Sequence, residues 1–61
     1  MTTYTYRLSH ESVVIGPRVV REHPDLKAAI ADAREWADGQ TGHPWDHLTI
    51  EDEEFEYEVD R

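Results

Sequence analysis

One stretch of this chain carries helical periodicity, and the segments on either side of it alternate. At helical spacing Leu26, Ala29, Ile30, Ala33 and Ala37 fall within about 100° of arc, with Trp36 at the flank. Lys27, Asp32, Arg34, Glu35 and Asp38 lie outside that stripe. Pro24 suits the first helical position, and Asp25 then lies in the first turn, where a negative charge favours the dipole. Gly39 offers a left-handed cap. The spacing predicts a helix over 24–38. One amphipathic helix cannot bury its own stripe, so the alternating flanks must supply a layer beneath it.

Those flanks read as strands. Tyr4, Tyr6 and Leu8 alternate with Thr3, Thr5 and Arg7, which predicts a strand with the first three facing the core. Ser9 to Ser12 suits a turn. Val13, Val14, Ile15, Val19 and Val20 form a second β-prone stretch, interrupted by Gly16-Pro17. Pro cannot donate to a ladder, so the preferred reading is one bulged strand over 13–22. Gln40 to Asp46 is a loop broken by Gly42 and Pro44. Leu48 and Ile50 then share one parity, and Phe55, Tyr57 and Val59 the other. A hairpin turning at Asp52-Glu53 reconciles them, with Ile50 opposite Phe55 and Leu48 opposite Tyr57. The expected fold is α+β: β-β-α-β-β, one antiparallel sheet with the helix on one face, as a single compact domain over 1–61.

The size of the chain makes its charge consequential. There are 61 residues and no cysteine, so neither a disulfide nor a cysteine zinc site can support the core. Six Lys and Arg stand against fourteen Asp and Glu, a net charge of −8. The excess is concentrated at one end. Residues 1–45 have nearly balanced charge, whereas Asp46, Glu51, Asp52, Glu53, Glu54, Glu56, Glu58 and Asp60 face only Arg61. No apolar run approaches the ~18 residues of a membrane span, and no basic region followed by an apolar stretch opens the chain. No membrane association is expected.

Catalytic and metal-binding patterns are sparse. His43 and His47 are spaced i, i+4, but Pro44 between them disfavours the helix that would make a zinc pair, so solvent-exposed loop histidines are the better reading. His10 and His23 fall at a turn and a helix start, where structural roles are expected. The acidic run lacks the glycine of an EF-hand calcium loop. There is no Ser-His-Asp spacing and no Gly-rich phosphate loop, so no enzyme, catalytic residue, metal or cofactor is expected. Direct nucleic-acid binding is disfavoured, because phosphate affinity comes from Lys and Arg. Arg7, Arg18 and Arg21 are expected to pair internally rather than form a basic area.

The acidic strand carries the functional reading. If Phe55, Tyr57 and Val59 face the core, then Glu54, Glu56, Glu58 and Asp60 all point outward. Same-side residues on a strand lie ~6.8 Å apart, a spacing similar in scale to charges along a nucleic-acid backbone, where phosphates rise ~3.4 Å per nucleotide. Glu51, Asp52 and Glu53 extend the row at the turn. Asp32, Glu35 and Asp38 on the helix form a second candidate patch. Such concentrated charge is self-repelling and weakens a small core, which favours a use beyond solubility.

Short, cysteine-free, compact and acidic along Glu51-Asp52-Glu53-Glu54-Phe55-Glu56-Tyr57-Glu58, the chain resembles the small anti-CRISPR proteins of phages, in particular inhibitors of type I systems that mimic DNA. The resemblance is one of class and covers the whole chain in size and composition. It implies an inhibitor in the cytoplasm of a bacterial host whose partner is the basic DNA channel of a Cascade-type surveillance complex. A monomer is expected. The partner-binding residues expected are the seven acids from Glu51 to Asp60 together with Asp32, Glu35 and Asp38. The alternative is a regulatory adaptor or inhibitor that docks through an aromatic patch around Trp36, Trp45 and Tyr4.

Overall fold

In a computed structural model of the chain, which describes residues 1–40, 42 and 44–60, the order is β1 (Thr2–His10), β2 (Val13–His23), α1 (Leu26–Asp38), β3 (His47–Glu51) and β4 (Glu56–Asp60). The four strands form one sheet in the order β2-β1-β3-β4, antiparallel throughout. The α+β architecture expected from the alternation is therefore the one present. The long central strand β1 pairs with both β2 and β3, so the two hairpins meet along it.

The inner face follows the parity of β1. Tyr4, Tyr6 and Leu8 are buried, and Leu48 and Ile50 join them from β3. Ala29, Ala33 and Ala37 press α1 onto this layer, and their small side chains permit a close approach. Leu26, Ile30 and Trp36 close its margins, with the Trp36 ring 5.7 Å from that of Tyr6. The helix packs on β1, β2 and β3 but not on β4. Tyr57 and Val59 are consequently only half-buried, although they face inward.

Both hairpins turn without glycine. Glu11 and Ser12 adopt left-handed φ values of 51° and 68°, the pattern of a two-residue turn whose twist matches its strands. The Glu11 N–H donates to Asp46 Oδ2 at 3.1 Å, which fixes that turn against the loop before β3. In β2 the pairing jumps from Tyr6–Val19 to Leu8–Ile15, so extra residues around Gly16-Pro17 bulge out, as expected. Gly16 sits at φ 70°, in the left-handed region that glycine enters without the Cβ penalty other residues meet.

Three local expectations are corrected. The helix begins at Leu26, and Asp25 is its N-cap rather than a first-turn residue; its carboxylate accepts from the Ala28 N–H at 2.9 Å. Gly39 is right-handed, at φ −78°, because its N–H and that of Gln40 tighten the last turn onto Trp36 and Ala37 carbonyls. The β3–β4 hairpin pairs Ile50 with Tyr57 and Leu48 with Val59, two residues away from the expected register. Asp52 explains the shift. Its Oδ1 accepts from the N–H groups of Glu54 and Phe55 at 2.8 and 2.7 Å, and its own N–H donates to the Phe55 carbonyl at 2.9 Å, so the loop closes over Glu53-Glu54. A shift of two preserves parity. Phe55 keeps its inward parity, but the helix does not extend over that corner, and the ring is 59 % exposed against Tyr57.

Candidate functional site

Directly paired residues share a face, so the register defines the side of the sheet opposite the helix. Across it run Val20, Thr5, Glu51 and Glu56; then Arg7, Thr49 and Glu58; then Val14, Ser9, His47 and Asp60. This face grades from apolar at β2 to acidic at β4. Glu56, Glu58 and Asp60 are exposed on a strand held by antiparallel pairing, and Glu53 and Glu54 stand exposed at the turn above them. The expected separation of the acids from Tyr57 and Val59 is present.

The acids are not equivalent. Glu51 and Glu56 oppose one another across β3 and β4, an unfavourable like-charge pair. Arg7 relieves it: its Nη2 lies 3.4 Å from Glu51 and 3.0 Å from Glu56. Only part of the guanidinium is engaged, since the Arg7 Nε is buried with no hydrogen-bond partner. At the other end His47 Nδ1 lies 2.7 Å from Asp60 Oδ1. Asp52 is committed to its own turn. Glu58 faces Thr49 across the ladder and, with Glu53 and Glu54, makes up the least committed charge of the row.

The second candidate patch divides. Glu35 and Asp38 are exposed on the helix, but Asp32 is drawn into the seam between helix and sheet. Its carboxylate accepts from the Tyr6 hydroxyl at 2.9 Å, from Arg21 Nη1 at 3.0–3.1 Å and from His23 Nε2 at 3.0 Å. An ionised carboxylate only accepts, so Nε2 carries the proton in that contact. Partial burial pushes the Asp32 carboxyl up, but the hydrogen bonds from Tyr6, Arg21 and His23 outweigh it and hold the group below its usual range. Burial, reinforced by the same carboxylate, pushes the Tyr6 hydroxyl well above its usual range. The His23 ring also stacks beside Tyr6, with centroids 6.5 Å apart. This cluster is a tie between β2 and α1, and sequence periodicity carries no sign of it because its members come from three elements.

A smaller knot holds the opposite end. Asp46 accepts from Glu11 N–H and lies near His10 and His47, at 3.7 and 3.9 Å. The Glu11 N–H first, and the two imidazoles after it, hold the Asp46 carboxyl low despite some desolvation.

The three arginines of the first hairpin do not gather. Arg7 lies on the open face with Glu51 and Glu56, Arg21 on the helix side with Asp32, and Arg18 is exposed at the bulge. The aromatic trio is not a surface patch either. Tyr4 and Trp45 are buried, and the Trp45 Nε1–H caps the helix through the Ala37 carbonyl at 3.1 Å. Among the described residues no three His, Asp or Glu side chains gather as a metal-holding group, and His43 of the i, i+4 pair lies outside those residues. No described helix is long and apolar enough to cross a membrane.

Fold and surface together define a small α+β protein with an acidic sheet edge. Comparison with protein-family models, with curated proteins and with solved structures returns no match for the chain.

Proposed function

We propose that this chain is a binding protein whose β4 strand and β3–β4 turn occupy a basic, nucleic-acid-binding surface of another protein and so keep the nucleic acid out. One observation carries the reading: Glu54, Glu56, Glu58 and Asp60 are all exposed, three of them at alternate positions of a paired strand. A strand keeps those carboxylates ~6.8 Å apart without further ordering. Preorganised charge of this kind can meet Lys and Arg that otherwise hold phosphates. Glu53, Glu54 and Glu58 are the primary contacts. Glu51 and Glu56 contribute with their charge moderated by Arg7, and Asp60 while in hydrogen-bond contact with His47. Glu35 and Asp38 lie on a separate surface, and Asp32 has no part in binding.

The narrower form of the reading is inhibition of a type I surveillance complex in a bacterial host, and it rests on the class resemblance. The test is an electrophoretic shift of target DNA by a purified complex of that type, with this protein added in increasing amounts. Loss of the shifted band, reversed by Glu53, Glu54 and Glu58 changed together to Lys, is the expected result. Normal DNA binding by the complex in saturating amounts of this protein would rule the channel out. Binding should also weaken steeply between low and physiological salt, where exposed charges are screened beyond ~8 Å.

A further inference from the structure

The two edges of the sheet differ in what they offer a neighbouring chain. The β2 edge is broken. Pro17 has no N–H, Gly16 turns at φ 70°, and the bulge displaces the backbone in mid-strand. The β4 edge has no Pro, no Gly and no bulge. The bond from Asp52 N–H to the Phe55 carbonyl marks the bonded phase of the β3–β4 ladder. Alternation along an antiparallel pair then turns the backbone groups of Tyr57 and Val59 toward β3. The N–H and C=O groups of Glu56, Glu58 and Asp60 point away from the sheet.

The side chains along this edge alternate in character. Glu56, Glu58 and Asp60 lie on the open face, and half-buried Tyr57 and Val59 lie on the helix side. Because α1 does not pack on β4, a cleft of about 140 Å³ remains beside it, lined by Arg34, Asp38, Trp45, Val59 and Asp60. Trp45 and Val59 are the apolar members of its lining, and its volume is that of about one aliphatic side chain.

From this arrangement we infer that β4 accepts an extended segment of the partner as a fifth strand, one that alternates Lys or Arg with apolar residues. The basic side chains stand opposite Glu56, Glu58 and Asp60 on the open face. The apolar ones cover Tyr57 and Val59 and enter the cleft. Strand addition of this kind draws affinity from main-chain bonds and selectivity from alternate side chains. A second copy of this chain is a poor occupant, because its own β4 would bring three acids against three. The inference rests on the reading above that the partner is basic, but it adds a backbone geometry that charge alone does not require.

The test uses the full chain, labelled with nitrogen-15, and an acetylated and amidated peptide of seven residues alternating Lys and Val. A second peptide has the same side chains and charge, but the amide nitrogens of one edge are methylated. The expected result is binding of the first peptide, with at least tenfold slower hydrogen exchange at the amides of Glu56, Glu58 and Asp60. The methylated peptide should bind at least tenfold more weakly. Equal binding of both peptides without new protection of those amides would overturn strand addition while leaving the charge-based function intact. Absence of binding by either peptide would also overturn it. The function itself falls separately, on the DNA displacement experiment.

Discussion

The β2 and β4 edges of this sheet face the same hazard, unpaired backbone that can capture another strand, and they meet it by different means. At β2 the obstacle is shape: a bulge, a left-handed glycine and a proline. At β4 it is charge: a strand reading Glu-Tyr-Glu-Val-Asp. Shape blocks every approaching strand alike. Charge blocks only those of the same sign and favours the opposite one. The edges also differ in anchorage. β2 is tied to the helix through Arg21, His23 and Asp32, whereas β4 is held through β3 and is not covered by the helix. The bulged edge is thus the one tied to the helix, and the charged edge is the one the helix leaves uncovered.

The largest expected effect lies in the shared core from which both edges hang. Tyr6 is fully buried, so Tyr6→Ala should cost about 3–5 kcal/mol, in the range of buried aromatic truncations. Chemical denaturation measures it, and a loss under about 1 kcal/mol would mean that the sheet holds without its central ring. Asp32→Ala comes next, at roughly 1–3 kcal/mol, because the buried Tyr6 hydroxyl loses its acceptor. The same residue gives a pH signature. A carboxyl held below its unfolded value contributes stability at neutral pH that is lost as pH falls below about 4. The acid limb of the stability curve should therefore be shallower in Asp32→Ala than in the parent chain, and parallel curves would show that Asp32 does not anchor β2.

Gly16→Val addresses the shaped edge directly. A β-branched residue at φ 70° is strained, and a loss of about 1–2 kcal/mol is expected. A neutral result would mean that the bulge relaxes and that β2 is less firmly shaped than the comparison holds. Smallest of all is Glu58→Lys, an exposed position on the charged edge, where stability should change by no more than about 0.5 kcal/mol. Paired with the binding measurement, this variant separates the edge as surface from the edge as structure: unchanged melting and weakened partner binding are the expected combination.

Much of this architecture was legible in the chain because period two and period 3.6 are read one element at a time. The inward parity of Tyr4, Tyr6 and Leu8, the alanine face of the helix and the bulge at Gly16-Pro17 all followed from neighbours in sequence. The parity of β4 followed too. Its register did not, because Asp52 closes the turn with a side chain, and the expected Asp52-Glu53 turn placed the pairing two residues away. Phe55 was misplaced for a tertiary reason: inward parity buries a ring only where the helix covers the sheet. The exposed acids of the candidate surface were legible as a row. Their unequal commitments were not, since Arg7 reaches Glu51 and Glu56 across the sheet and Asp32 gathers partners from both hairpin strands.

The pairing of β1 with β3 has a kinetic consequence. Each hairpin and the helix can form from residues close in sequence, but the ladder that joins Ser9 to His47 and Thr5 to Glu51 closes over the second strand, the helix and the loop beyond it. Closing so long a segment has an entropic penalty that grows only slowly with length, yet it must be met before the core contacts compensate. The rate-limiting barrier to folding is therefore expected at the meeting of the two hairpins. Destabilising changes along the β1–β3 seam, at Leu8 or Ile50, should slow refolding, while changes confined to β4 should act mainly by hastening unfolding.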